Sequence, residues 1–225
     1  MSVNWSKAVS EMSNHVVKVE AGPTYGSGFL IPSPVKKDGH VSILTAWHVV
    51  KDAYERMLPI KITQFSTGRF DVVIPMASTV MFAQDRDQAI VHFDSQQLTP
   101  PIEMTFLKKD MHYKPGVKIG WLGLPNIAPE TVCFFKGCVS AYIESREAYL
   151  VDGVSIHGVS GGPVFHVGDD DKIIVAGIVT NYYPNNQNGT TLPGLAGFQT
   201  INPLMKLYEE QENGSNSRIR QQVRS

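Results

Sequence analysis

An all-β chain, barrel or sandwich in architecture, is what this sequence predicts, and three observations predict it. Short apolar runs rich in Val, Ile, Phe and Tyr recur along most of the length, each bounded by Gly, Pro, Asn or Asp. Their spacing is fairly even, without the long helical patterns that alternate with strands in α/β units. Finally, 225 residues with 42% hydrophobic and 18% charged content suffice for one large all-β unit or two small ones with a sizeable core.

The strand-like runs are HVVKVE (15–20), GSGFLIP (26–32), VSILTAW (41–47), FDVVIP (70–75) and QAIVHF (88–93), then GVKIGWLGLP (116–125), TVCFFKGCVSAYI (131–143), GPVFHV (162–167), KIIVAGIVT (172–180) and LAGFQTI (195–201). Three stretches carry helical signals. Asn4 to Met12 sets Trp5, Ala8, Val9 and Met12 at helical spacing, and His48 to Met57 is long enough for one or two turns. Pro203 to Gln211 starts with Pro after Asn202, a favourable first turn. Residues 94–116 hold three prolines and little strand pattern, and they divide the strands into two similar groups; they read as a linker. No internal sequence repeat is visible. The end of the chain, from Glu212, is polar, and its Arg218, Arg220 and Arg224 are too few to argue a nucleic-acid tail.

Composition excludes several classes. A net charge of −1 gives no electrostatic case for nucleic acid or an anionic membrane. No apolar run approaches the roughly 18–20 residues that span a bilayer, and the start MSVNWSKAVSEMSNH has no apolar core of a secretory signal. The expectation is a soluble, cytoplasmic protein. Cys133 and Cys138 lack CxxC spacing and a second pair, so they read as small packing residues rather than zinc ligands or a disulfide. Asn188-Gly189-Thr190 is a glycosylation sequon without meaning in a chain that is not exported. No HExxH spacing or Cys/His cluster is present, so no metal and no cofactor is expected.

The stretch IHGVSGGP (156–163) sets one serine among three glycines and a proline. Glycine is entropically costly, so such a run needs a reason: a tight turn, or a backbone that approaches closely and aims two N–H groups at one spot, as beside a nucleophile. A nucleophilic serine needs a base, and the base an acid to fix its tautomer. Of seven histidines, His48 stands at the end of an apolar run and at the start of a helical turn, a rigid place from which to reach a cleft. His15, His92, His112 and His166 sit in strands or the linker, and His40 in a turn; His157 shares the serine's loop and lines the cleft. The acid comes from Asp85 or Asp87, just before the run QAIVHF.

These stretches resemble the chymotrypsin-like serine proteases. TAWHVV resembles that family's Thr-Ala-x-His box, DQAIVHF its aspartate strand, GVSGGPVF its Gly-x-Ser-Gly-Gly-Pro box, and GSGFLI the strand before the histidine in the secreted and heat-shock branches. The matches run from about residue 15 to about residue 205 in the family's order. The resemblance implies two antiparallel six-stranded β-barrels with the site in the crevice between them and a short C-terminal helix. It implies residues 1–108 for the N-terminal segment and first barrel, 109–205 for the second, and 206–225 for the end of the helix and the tail. It chooses Asp87 over Asp85 and implies a triad of His48, Asp87 and Ser160, with the N–H groups of Gly158 and Ser160 as oxyanion hole. Gln88 stands where the family usually has an aliphatic residue.

Val159 replaces the aspartate that, in digestive relatives, pairs with a freed amino terminus, so no activation cleavage of that kind is expected; the heat-shock style is the nearer match, without its peptide-binding domain. The implied substrate pocket comprises Val154 at its base, Ser155, His157, Val179, Thr180, Asn181 and Gly197, with Tyr182 narrowing it. No acidic side chain lies there, so an apolar, neutral residue before the scissile bond is expected. The partner is then a protein or peptide substrate, with a regulatory protein as a further possibility and no expectation for oligomeric state. Two other readings stand beside this one: a protease-fold binding module that is inactive or gated by a partner, and a self-processing protein.

Overall fold

The computed structural model describes residues 3–33, 39–187, 190–202 and 204–205. It holds two antiparallel sheets and two α-helices. The first sheet comprises β1 (Val16–Ala21), β2 (Thr24–Ile31), β3 (His40–Ala46), β4 (Ile60–Gln64), β5 (Phe70–Val73), β6 (Val80–Ala83) and β7 (Gln88–Asp94), in the order β5-β4-β1-β2-β3-β7-β6. The second comprises β8 (Lys118–Gly123), β9 (Cys133–Ile143), β10 (Ala148–Asp152), β11 (Pro163–Val167), β12 (Ile173–Gln187) and β13 (Thr190–Thr200), closed as β10-β13-β12-β11-β8-β9.

The second sheet is the expected six-stranded barrel. The first has seven strands where six were expected, and the reason is local. β5 and β6 stand at opposite ends of the sheet order, yet only residues 74–79 separate them. Those residues reach at most roughly 25 Å when extended, and a turn that bonds Thr79 N–H to the Met76 carbonyl shortens them further. The sheet must therefore curl until its edges approach. β5 and β6 are two halves of one strand path, broken beside Pro75, which has no N–H for a ladder.

Three strands escaped the sequence reading: β4, β6 and β10. Each has five residues or fewer, and each is held by pairing on both sides or by a corner rather than by its own pattern. The C-terminal helix expected over Pro203 to Gln211, and the tail beyond it, lie outside the described residues apart from 204–205.

Helix α1 (Trp5–Ser13) starts where the Asn4 side chain accepts the Lys7 N–H at 3.1 Å. Its Trp5 ring packs on Phe134 and Phe165, at centroid distances of 5.6 and 6.0 Å, so this helix leans on the second barrel. The linker segment also touches that barrel, through bonds of Leu107 N–H to the Val175 carbonyl and Val175 N–H to the Thr105 carbonyl. One apolar cluster fills the first sheet and continues into the seam through Leu122, Leu124, Phe165 and Ile178. A second fills the interior of the closed barrel around Trp121, Tyr149, Val159, Val179 and Phe198. The two cysteines are free and only half-buried, where small core residues were expected.

The first sheet carries an acid-sensitive group. His92 on β7 is 9% exposed, and its Nδ1 meets Ser42 Oγ at 3.0 Å. Burial, and secondarily the neighbouring His40, lowers its pKa from 6.5 to about 4. The unfolded chain therefore takes up this proton first as pH falls. The contribution is complete above pH 6.5 and lost between 6.5 and about 4, by up to about 3 kcal/mol. Urea midpoints measured from pH 7 to 4 should fall for the wild type and fall less for His92→Gln; equal slopes would contradict the assignment.

Candidate active site

The site starts with a backbone that only a few residues tolerate. A 3-10 turn, Gln84–Arg86, ends on Asp87 in the left-handed region, φ 52°. Asp is one of the residues that enters this region at modest cost. The turn aims the carboxylate back at the first residues of helix α2 (Trp47–Arg56). There Asp87 Oδ1 accepts the His48 N–H at 2.9 Å, and the Asp87 carbonyl accepts the Trp47 N–H at 3.0 Å. Helix α2 has no side-chain cap of its own; Asp87 serves as one from across the sheet, with its charge at the positive end of the helix.

The other carboxylate oxygen is free for the ring. Asp87 Oδ2 lies 2.7 Å from His48 Nδ1. That bond fixes Nδ1 as the donor and leaves Nε2 as the acceptor, pointing away from the carboxylate. The His48 side chain is 49% exposed and Asp87 25%. Asp85, the other candidate, pairs among the described residues with Arg86, at 3.3 Å, on the surface.

Ser160 faces His48 from the second barrel. The two line one cavity of about 330 Å³ with Pro23, Thr24, Tyr25, Val49, Asn126, His157 and Gly158. Among the described residues no hydrogen bond yet joins Ser160 Oγ to His48. The glycines of the loop have distinct reasons. Gly158 and Gly161 have φ of +93° and +86°. A Cβ on Gly158 would collide with the Leu124 carbonyl and Asn126, and one on Gly161 with the Ser27 carbonyl and Thr45.

The peptides on both sides of Gly158 are held. The His157 carbonyl accepts the Asn126 N–H at 2.8 Å. In a trans peptide N–H and C=O point oppositely, so the Gly158 N–H is turned away from Asn126. The Gly158 carbonyl accepts from Ser27 Oγ at 2.7 Å. Among the described residues the N–H groups of Gly158 and Ser160 have no acceptor. Val159 between them is fully buried in the second barrel's core.

Ser27 is a site residue that the sequence reading quoted but gave no role. It is fully buried on β2. Besides gripping Gly158, its Oγ accepts the Leu124 N–H at 2.8 Å, its N–H donates to the Ser160 carbonyl at 2.8 Å, and its carbonyl accepts from Thr45 Oγ1 at 2.7 Å. Gln88 is also buried, and its Nε2 donates to the Thr200 carbonyl at 2.6 Å, which explains a polar residue where an aliphatic one was expected.

The expected substrate-pocket residues do not all face one space. His157 lines the cavity beside Ser160. Ser155 and Thr180 are buried, and Val179 belongs to the second barrel's core. The Val154 side chain is 58% exposed, so it does not form a base; only its carbonyl turns inward, to Trp121 Nε1 at 3.2 Å. Asn181 is exposed. Gly197 lies under the Tyr183 ring, 2.6 Å from where its Cβ would be, and leaves room for that ring. Among the described residues no group of His, Cys, Asp and Glu could hold a metal.

The family described as trypsin-like peptidase domain matches residues 26–178. No protein of curated function matches the sequence. Among solved structures, a serine endoprotease from Yersinia pestis aligns with a TM-score of 0.65 at 20% identity, covering 95% of this chain and 68% of that one. The Rv3671c protease, in an inactive form, aligns with a TM-score of 0.61 at 17% identity, covering 92% and 95%. An inactive serine-to-alanine mutant of the same protein from M. tuberculosis aligns with a TM-score of 0.61 at 15% identity, covering 97% and 98%. At these identities the likeness is one of fold.

Ser27→Ala would leave the Gly158 carbonyl and the Leu124 N–H buried without partners. The expected cost is about 2–4 kcal/mol of stability, read by urea denaturation, with faster amide exchange at Leu124. A loss below about 0.5 kcal/mol would mean that the two hydroxyl bonds do not hold the seam.

Proposed function

The chain belongs to the trypsin-like peptidase family, and from that premise we propose that it is a serine endopeptidase acting through His48, Asp87 and Ser160. The observation that carries this is the 2.7 Å bond from His48 Nδ1 to Asp87 in a cavity that Ser160 shares. His48 Nε2 removes the proton from Ser160 Oγ as the oxygen attacks a peptide carbonyl. The carbonyl oxygen becomes an oxyanion beside the N–H groups of Gly158 and Ser160. His48 then returns the proton to the amine as the C–N bond breaks. Water, deprotonated by His48, cleaves the acyl ester and restores the hydroxyl. Asp87 holds the ring and stabilises its charged state throughout.

In motif style the heat-shock branch is the nearest match, through GSGFLI and Val159. The side chain accepted before the scissile bond is neutral and apolar, because the pocket segments 154–157, 179–182 and 197–199 contain no acidic residue. The unpaired cysteines support a reducing, cytoplasmic setting. No described helix is long and apolar enough to cross a membrane. The bonds that hold both peptides of Gly158 favour a site that needs no partner to assemble it over a gated or purely binding module.

A fluorophosphonate probe should label the wild type and not Ser160→Ala. An unlabelled but folded wild type would sink the proposal. Asp87→Asn should retain the fold and lose about 10³–10⁴-fold in kcat on a peptide substrate; a loss below tenfold would remove Asp87 from its role.

A further inference from the structure

We propose that Trp121 floors the pocket for the side chain immediately before the scissile bond, and so restricts this endopeptidase to small uncharged residues there. The inference rests on the endopeptidase reading above and narrows its substrate.

Trp121 lies on β8 and is 1% exposed. Its partners across the ladder are Phe135 on β9 and Val164 on β11, so its side chain shares their face, the interior of the second barrel. The indole extends toward the end of the barrel that carries Ser160. Its Nε1–H donates to the Val154 carbonyl at 3.2 Å. Its outer ring lies under Gly153: a Cβ there would stand 2.5 Å from Cη2 and 3.1 Å from Cζ2. Gly153 is what lets the ring come so close.

By the family resemblance, the segment from Gly153 to Val159 would be one wall of the acyl-side pocket, and Val179 to Tyr182 the other. Side chains from both segments, Ile156, Val159 and Val179, pack in the same cluster as Trp121, Ala196 and Phe198. The depth that a long substrate side chain would use is thus already filled by indole. The small Ser155 and Thr180 of the two segments are both buried. A Leu, Met or Phe would have to displace a ring that is buried and hydrogen-bonded. Overpacking of this kind is destabilising, and a pocket too small by a methylene or more discriminates by about 10–200-fold. A Lys or Arg would meet no carboxylate there.

The test is a peptide library varied at the residue before the cut, read by mass spectrometry, with probe labelling of every protein as the check on competence. Wild type should cleave after Gly, Ala or Ser at least about tenfold faster, in kcat/KM, than after Leu, Met or Phe. Trp121→Val should reverse that order mainly through a lower KM for the large residues, and Trp121→Phe, which keeps most of the packing, should fall between. Equal or better cleavage after large residues by the wild type overturns the inference. So does a labelled Trp121→Val or Trp121→Phe with an unchanged profile. If the valine variant fails to fold, the wild-type and phenylalanine profiles decide. A wild type that is neither labelled nor active overturns the endopeptidase reading itself, and this inference with it.

Discussion

His48 and Asp87 stand beside the first sheet and Ser160 beside the second, so the geometry of the proposed triad is only as good as the seam between the sheets, and Ser27 is the fastening of that seam. One buried residue of the first sheet spends its N–H, its carbonyl and both roles of its hydroxyl on four bonds. Two of the four fall on Gly158 and Ser160, the segment whose orientation decides where the two free N–H groups point. Each bond alone is worth on the order of 1 kcal/mol net. Their leverage comes from burial: any rotation of the loop leaves a carbonyl unpaired in a dry site. Gly161 allows the approach, because any side chain there would occupy the place of the Ser27 carbonyl. Gln88, reaching Thr200, ties the seam at a second point.

The same corner occurs twice in the chain and does two jobs. In the first half Gln84–Arg86 turns into Asp87 at φ 52° and then into β7. In the second, Glu144–Arg146 turns into Glu147 at φ 47° and then into β10. No repeat is visible between QDRDQA and ESREAY beyond an arginine followed by an acid. Asp87 meets a histidine and a helix N-terminus. Glu147 meets Arg86 at 3.1 Å, which joins the two corners. That pair is partly exposed and contributes little stability. A shorter acid suits the first corner, where two carboxylate oxygens must reach a backbone N–H and a ring at once.

Much of this was legible in the sequence, and the limits have physical causes. Ten of the strands announced themselves because each carries its own apolar run and its own punctuation. The turn of IHGVSGGP was readable because glycine has few reasons to recur. Asp87 beside His48 followed from motif order. Ser27 lay in a quoted motif, yet its hydroxyl bonds residues 131 and 97 positions away, and no local pattern encodes such a partner. Gln88 looked out of place for the same reason: its partner is on the other barrel. The exposure of Val154 was not legible because alternation decides which side of a loop faces in only where a strand continues, and residues 153–162 form no strand.

On the proposed endopeptidase reading, the two sides of the scissile bond meet different surroundings, and the difference follows from which barrel supplies each. The acyl side lies over the closed barrel, whose interior is already filled by Trp121, Tyr149 and Phe198. A closed six-stranded barrel has room for its own side chains and little else. The departing amine must instead sit by His48, the group that protonates it, and His48 belongs to the first sheet. There the cavity of about 330 Å³ opens between the Pro23–Tyr25 turn and Asn126. It is wide because the barrels meet there at a turn and a loop rather than along paired strands. The same cavity reaches His157, Gly158 and Ser160 of the second barrel's loop, so on this reading the open space lies along the seam, and the filled barrel interior lies behind the acyl side.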